Sequence, residues 1–496
     1  MVTVTAMMLV TKGPRGVLET ALHMGVRAFT TSSVRAGGMK AKRRKQAMRA
    51  KNPHLAVKTV DGTAVTAATA HFDEFYSGLY KTQWAGMRLA LLSTSKHCAL
   101  VNNFGDSERT VEELEELGCI DIGAEFLAAQ ERQRPYAPQE AAVLSEGPRE
   151  EELEDEVEEV RASLDPLQAG ARLIEPEQKG LGGGAASALY DFVPTTELKG
   201  MEEFVEETDY YKYYRRVAGE SVRTVVEPAL SWPPALRAFT FPRGVVQSFP
   251  RPRAGLLDTL NYYCMDAASL LPVLALDVGP GHRVLDMCSG PGGKALALLQ
   301  TLLPGALVCN DHSHDRVRRV IGVLDQFCGR GDRSVGGVRD TVTLSRRDGA
   351  EMVDYESYDR VLVDAPCYAD RHAMNSDDGN VFVKGEIKDR LRMPEKQSEL
   401  LKAGLMMLKP GGVLVYSTCT LSPVQNDGVV HMALRSLWED TTLDFEVCDL
   451  TEAAKPLRFL CKMYGSQDGM KYGQMVVPFL PNNFGPMYFA KIRRLP

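Results

Sequence analysis

Between residues 283 and 417 apolar residues fall in short unbroken runs, each followed by a stretch in which they recur every three or four positions. Runs of this length read as buried strands, and the three-to-four period reads as helices packed across them. Strands are predicted over 283–287, 306–310, 341–345, 358–364 and 411–417. Helices are predicted from Lys294 onward and over 315–327, 395–408 and 424–437, with a closing strand pair near 444–447 and 487–492. Repeated β-α units predict an α/β fold on a doubly wound, Rossmann-like sheet, with ligands at the carboxyl ends of its strands. Upstream, Phe72, Phe75 and Leu79, then Met87 and Leu91, keep helical spacing, and 109–130 reads as one or two further helices. Residues 65–135 are therefore predicted as a small helical region. Residues 256–271 read as one helix, with Tyr262, Tyr263, Met265 and Leu270 on its apolar side and Pro272 just past its end.

Composition changes this picture in three places. Residues 1–36 carry Lys12, Arg15, Arg27 and Arg35 against the single acid Glu19 and close on a Thr/Ser cluster, the composition of a mitochondrial presequence or of a disordered basic tail. Residues 37–64 form a basic linker; Lys40, Lys42, Arg43, Arg44, Lys45, Arg49, Lys51 and Lys58 suit phosphate backbones, and equally a solvated tail. Residues 136–205 are rich in Pro, Glu and Gly, too poor in apolar surface to offset ordering entropy, and are predicted as a disordered acidic insert. The formal net charge of −7 is concentrated there: residues 146–165 alone carry ten acids and two bases, leaving the remaining chain near neutral. No apolar run reaches the roughly 18 residues of a membrane span. The ten cysteines show no Cys-x-x-Cys pair and no zinc-like spacing, so no metal is predicted and the thiols are expected to be reduced.

The candidate chemistry lies at the predicted strand ends. Arg283-Val-Leu-Asp-Met-Cys-Ser-Gly-Pro-Gly-Gly-Lys294 is strand, glycine turn, helix, where Gly290, Gly292 and Gly293 let backbone approach a ligand and the helix start offers unpaired N–H groups. It is neither Gly-x-Gly-x-x-Gly nor a P-loop. Asp311 ends the second strand, placed to accept from ribose hydroxyls, with Arg316 counted beside it; Asp348-Gly349 follows the third. Any one of these acids is also an ordinary turn residue. Together with the Gly290–Lys294 turn they suit an adenosine ligand without a pyrophosphate, and S-adenosylmethionine fits better than NAD. Cys367, after Pro366 at the fourth strand's end, and Cys419, after Thr418 at the fifth, would face one pocket if those strands are neighbours. A buried cysteine alone is usually a small hydrophobe.

Cys288-Ser-Gly-Pro-Gly-Gly-Lys294, Asp364-Ala-Pro-Cys367 and Ser417-Thr-Cys-Thr420 with Gln425-Asn-Asp427 resemble the Sun-domain family of RNA cytosine-5 methyltransferases, over roughly 235–496. The stretches Tyr262–Pro272, Asp370-Arg-His372 and Asn483–Phe489 are most similar to the family's mitochondrial ribosomal-RNA branch. The resemblance implies a Rossmann-like S-adenosylmethionine-dependent methyltransferase domain over 206–496. Departures are Ser289-Gly290 for two alanines, Tyr368-Ala-Asp370 for Ser-Gly-x-Gly beside the thiol, and Asp427 where Glu is common.

Carried over residue by residue, the resemblance makes Cys419 the nucleophile that adds to C6 of cytosine, and Cys367 the group that assists release. Asp364 would accept from the cytosine amine and border the cofactor, and Lys294 would lower the thiol's pKa or hold substrate. The target base must leave its stack, so single-stranded or loop RNA is the expected substrate. A DNA cytosine-5 enzyme would use Cys367 instead, but its Pro-Cys-Gln and Glu-Asn-Val motifs are absent. Two other readings are a ribosome-assembly factor without turnover and methylation of another RNA class such as tRNA. No RNA-binding module is recognisable, and the resemblance implies a helper of the mitochondrial termination-factor type in the matrix, docked on 65–135 or on 200–255.

Overall fold

The computed structural model describes residues 63–133, 222–255, 258–329, 338–383 and 385–496, together with the strands Glu197–Lys199 and Phe204–Glu206. The presequence, the basic linker and most of the acidic insert lie outside these residues.

Helix α1, Ala64–Tyr80, starts where the Thr63 hydroxyl accepts the Thr66 N–H, and buries Phe72, Phe75 and Tyr76 at three- and four-residue spacing. Helix α2, Trp84–Leu92, follows. The region then departs from the all-helical expectation. Cys98–Val101 is a strand (β1), and helix α3 (Ser107–Glu116), strand β2 (Ile120–Asp121) and helix α4 (Ile122–Gln133) come after it. The hairpin β3–β4 joins Glu197–Lys199 to Phe204–Glu206. Strand β5 is Thr224–Val226, β6 is Ala238–Thr240 and β7 is Tyr262–Met265. Four of these strands form a small antiparallel sheet in the order β2-β6-β1-β7. Residues 256–271 are thus not one helix: β7 leads to a 3-10 turn capped by the Asp266 carboxylate, which accepts the Ala268 N–H at 2.8 Å. Helix α5, Leu271–Ala275, takes Pro272 in its first turn, where a missing N–H costs nothing, rather than after its end.

From β8 (Arg283–Asp286) onward the predicted alternation holds. Helix α6 is Gly293–Gln300, β9 Ala306–Asn310, α7 His314–Cys328, α8 Val338–Thr341, β10 Val342–Ser345 and β11 Tyr358–Asp364. Helices α9 (Asp370–Asn375), α10 (Ile387–Leu391) and α11 (Met393–Met406) precede β12 (Leu408–Thr418), and α12 (Asp427–Asp440) precedes β13 (Phe445–Asp449). Strands β14 (Lys462–Tyr464), β15 (Gln474–Val477) and β16 (Met487–Arg494) complete the sheet. Its order is β10-β9-β8-β11-β12-β16-β13-β5, parallel from β10 to β12, with β16 antiparallel between β12 and β13.

The strands alternate their side chains between two covered faces. Val284, Leu362 and Val415 pack with α6, α7 and the small sheet; Leu285, Val361, Val363 and Leu414 pack with α1, α11 and α12. Each such side chain contributes about 1.5–3 kcal/mol through burial. Burial on both faces is why these strands read as unbroken apolar runs. Among the described residues no helix is long and apolar enough to cross a membrane.

Candidate active site

Because β10, β9, β8, β11 and β12 run parallel, their carboxyl ends share one edge, and the predicted residues meet there. Asn310, at the end of β9, ties three loops together: its Nδ2 donates to the Met287 and Arg347 carbonyls at 3.0 Å each, and its Oδ1 accepts from the Arg347 N–H at 2.9 Å.

The turn after β8 is shaped by what crowds it. A Cβ on Gly290 would lie 2.5 Å from the Arg316 Cβ and 2.8 Å from the Asp311 carboxylate, and Gly292 has φ +114°, which favours glycine. The Gly290 N–H donates to Asp311 Oδ2 (3.2 Å), the other Asp311 oxygen accepts from the Ser313 N–H (2.9 Å), and the Arg316 guanidinium lies 3.8 Å away. Gly290, Asp311 and Arg316 are therefore one unit. Asp348 is exposed on the same edge and caps the next turn through the Ala350 N–H (3.1 Å). Gly349 owes its lack of a side chain to packing, since a Cβ would meet Leu400 at 2.7 Å and Met287 at 2.9 Å.

Beneath the turn, Asp286 is wholly buried and both its carboxylate oxygens lack a hydrogen-bond partner. Burial, reinforced by the nearby Asp364 charge and only partly offset by Lys294, pushes its pKa up to about 7. The sequence reading assigned Asp286 no role. Its signal would have been a strand-end acid that no local turn needs. Lys294, at the start of α6, reaches Asp364 at 2.8 Å, and the Ser417 hydroxyl donates to the other Asp364 oxygen at 2.8 Å. Lys294 is only 10% exposed and Asp364 29%. Burial pulls the ammonium's pKa down, but the Asp364 carboxylate outweighs it and the net shift is upward.

Cys367 and Cys419 end adjacent strands, with sulfurs 3.3 Å apart and the Cys419 N–H donating to the Cys367 sulfur at 3.3 Å. A thiol neighbour and burial hold the Cys419 pKa well above its ordinary value; Lys294 works against this and does not prevail. Each sulfur is held from both sides. The Gln397 amide donates to the Pro366 carbonyl (2.7 Å) and to Gln425 Oε1 (3.1 Å), which also accepts the Tyr368 N–H (3.3 Å). Asn426 accepts from the Thr418 hydroxyl (2.6 Å) and donates to the Thr420 carbonyl (2.9 Å). Asp427 accepts from the N–H groups of Lys471, Tyr472 and Gly473 and from the Tyr488 hydroxyl, locking α12 to the last strands.

Asp370 is a further group whose part the sequence reading left open. Fully buried, its carboxylate accepts from the Tyr76 hydroxyl and the Leu421 N–H, both at 2.8 Å, so it joins both thiol loops to α1; burial raises its pKa to about 6. Next to it, the Arg371 guanidinium donates to the carbonyls of Ala90, Ser93 and Gly485 and to the Asn483 amide oxygen. Arg371, Ser93 and Gly485 wall a cleft of about 570 Å³ that Thr94, Met487 and Cys419 also line.

A profile of the 16S rRNA methyltransferase RsmB/F family matches residues 273–492. The 5-cytosine rRNA methyltransferase NSUN4 of Mus musculus is 35% identical over 434 residues, spanning 88% of this chain and 90% of its own. The Caenorhabditis elegans enzyme of the same description is 32% identical over 87% of this chain and 92% of its own. This chain belongs to the Sun-domain family of RNA cytosine-5 methyltransferases. Within it the chain is similar to ribosomal-RNA members over most of its length, and it is an S-adenosylmethionine-dependent enzyme. A mitochondrial tRNA (cytosine(34)-C(5))-methyltransferase of Mus musculus matches less of it, 36% identical over 47% of this chain and 64% of its own. Among solved structures, NSun6 from Pyrococcus horikoshii with SFG is 20% identical with a TM-score of 0.47, covering 86% of this chain and 98% of that one.

Proposed function

We propose that the protein methylates C5 of a cytosine in mitochondrial small-subunit ribosomal RNA, with Cys419 as nucleophile and Cys367 as the thiol that assists release. One observation carries the assignment: two sulfurs 3.3 Å apart at the ends of neighbouring parallel strands, of which Cys419 lines the open cleft. C5 of cytosine is a weak nucleophile. The Cys419 sulfur bonds to C6 while its proton ends on N3 of the ring, which shifts the C5–C6 double bond to C4=C5 and leaves an enamine whose C5 can take a methyl group. A base then takes the C5 proton, the C6–S bond breaks, and the aromatic ring and the thiolate are restored. Cys367, with its sulfur 3.3 Å from that of Cys419, would serve that second half. Asp364, held by Lys294 and Ser417, keeps an oxygen positioned to accept from the cytosine amine.

S-adenosylmethionine supplies an electrophilic methyl group when bound. The residues present suit it: Gly290 brings the turn's backbone against Asp311 and Arg316, and Asp286 is a buried carboxylate that lacks a donor. Gly290, Gly292, Gly293, Lys294, Asp311, Arg316, Asp348, Gly349 and Asp364 would hold it. The acid-poor start of the chain supports action in mitochondria, and the family resemblance extends the proposal to the matrix, to a partner of the mitochondrial termination-factor type and to ribosome assembly.

The test is covalent trapping. Cys367→Ala protein incubated with S-adenosylmethionine and mitochondrial small-subunit ribosomal RNA should leave an adduct that survives a denaturing gel, and Cys419→Ala should not. An adduct on Cys419→Ala would reverse the two roles.

A further inference from the structure

A second groove opens beside the catalytic cleft. Its volume is about 670 Å³, and it shares the wall Leu92–Ser95 with that cleft. The shared wall is rigid: Asn483 donates to the Ala90 and Thr94 carbonyls, Arg371 holds Ser93, and the Lys96 N–H donates to the Asn483 carbonyl. The opposite wall is the loop at 245–249. Val246 on that loop is 87% exposed, and the half-buried Phe249 ring packs 4.8 Å from Phe241. With Phe249 beside it, Val246 gives the groove a small apolar face on which the flat face of a base can rest.

The charge around this groove has one sign along the sequence. Residues 228–257 contain four arginines and no acid. Arg237 and Arg253 pair with Glu108 and Glu113 on α3. Arg243 and Arg251 are exposed and form no ion pair among the described residues; Arg243 lies 5.1 Å over the Phe479 ring. Lys96, Ser93, Ser95 and Gln247 line the groove with an apolar contact, and Arg243 and Arg251 flank its 245–249 wall in sequence, a combination that suits single-stranded RNA.

We propose that this groove seats the unpaired ribonucleotide next to the target cytosine, with its base on Val246 and Phe249 and its phosphates near Arg243 and Arg251. The proposal rests on the RNA-methylation reading above. It follows from continuity: a base extruded toward Cys419 draws its neighbour to the mouth of the cleft, and the wall met there is the one the two cavities share.

The test uses the full-length protein and fluorescein-labelled decauridylate, which contains no target base, so its binding does not depend on methyl transfer. Val246→Glu should weaken binding at least tenfold. Arg243→Ala with Arg251→Ala should weaken it about tenfold and flatten the salt dependence by roughly 1.4 in log–log slope, about 0.7 for each phosphate no longer neutralised. S-adenosylmethionine affinity and thermal midpoint should stay unchanged. Wild-type protein that fails to bind decauridylate, or variants that bind like wild type, would overturn the proposal. Unchanged RNA binding with loss of a co-purifying protein in Val246→Glu would also overturn it and make the groove a protein interface. The two readings fail separately. Weakened RNA binding without any trapped adduct would keep the groove and sink the methylation chemistry, whereas an adduct with groove variants unaffected in binding and KM would do the reverse.

Discussion

Asp286→Asn isolates the buried, partnerless carboxylate beneath the glycine turn. Its pKa is raised from 3.8 to about 7, a difference of roughly three units, or ~4 kcal/mol at 1.36 kcal/mol per unit. The sign follows from which state binds the proton more tightly. The folded state does, so the stabilisation is complete below pH 3.8 and is lost as pH rises toward 7. Asparagine has the same shape and no charge, but it leaves its own amide unpaired, at a cost of about 1–3 kcal/mol. Without cofactor, the variant should match or fall slightly below wild type at pH 4–5 and exceed it by about 1–3 kcal/mol at pH 8. Urea melts followed by intrinsic fluorescence at pH 5, 6, 7 and 8, taken as the difference between the two proteins, measure this and cancel other groups such as Asp370. Added S-adenosylmethionine should raise wild type more than the variant. A variant-minus-wild-type difference that stays flat from pH 5 to 8 would refute the claim that Asp286 carries an uncompensated burial cost.

Three further outcomes follow from the thiols and their supports. With the Cys419 pKa held high by its thiol neighbour and burial, kcat/KM should climb about tenfold per pH unit between pH 7 and 9, and Lys294→Met should move the profile further toward alkaline pH. Asn426→Ala unpairs the Thr418 hydroxyl and the Thr420 carbonyl, both buried, and should cost about 2–4 kcal/mol in a melting experiment while lowering kcat with little change in S-adenosylmethionine affinity. One equivalent of hydrogen peroxide should join Cys367 to Cys419 with release of water, seen as a cross-linked peptide pair by mass spectrometry; activity should vanish and return with dithiothreitol.

The inner strands of the parallel half, β8, β9, β11 and β12, were legible because both of their faces are covered, so their centres are written as apolar runs between turn residues. The edge strand β10, within Thr341-Val-Thr-Leu-Ser345, is open to solvent and shows as an alternation instead. The small sheet was not legible. Cys98–Val101 is four residues long, and nothing local separates a buried strand of that length from the end of a helix; its partners, Ala238–Thr240 and Tyr262–Met265, lie far along the chain. Residues 256–271 mislead for the same reason: Pro272 has the look of a stop signal but opens a helix. At the site, the motifs pointed to the thiols, Asp364 and Lys294. The work of Asn426, Gln397 and Asp286 arises only when loops separated by tens of residues meet, which no spacing rule records.

The small sheet also bears on where the protein tolerates added sequence. Strands β1 and β2 precede the acidic insert and β6 and β7 follow it, yet β6 pairs directly with both β1 and β2. The chain therefore leaves the small sheet after β2 and rejoins it at β6, adding β5 to the large sheet on the way, and residues 134–196 fall within that excursion. Doubling such a loop costs only ~0.6 kcal/mol. A fluorescent protein grafted there should leave folding and methylation intact, offering an internal label that leaves both ends of the chain unaltered.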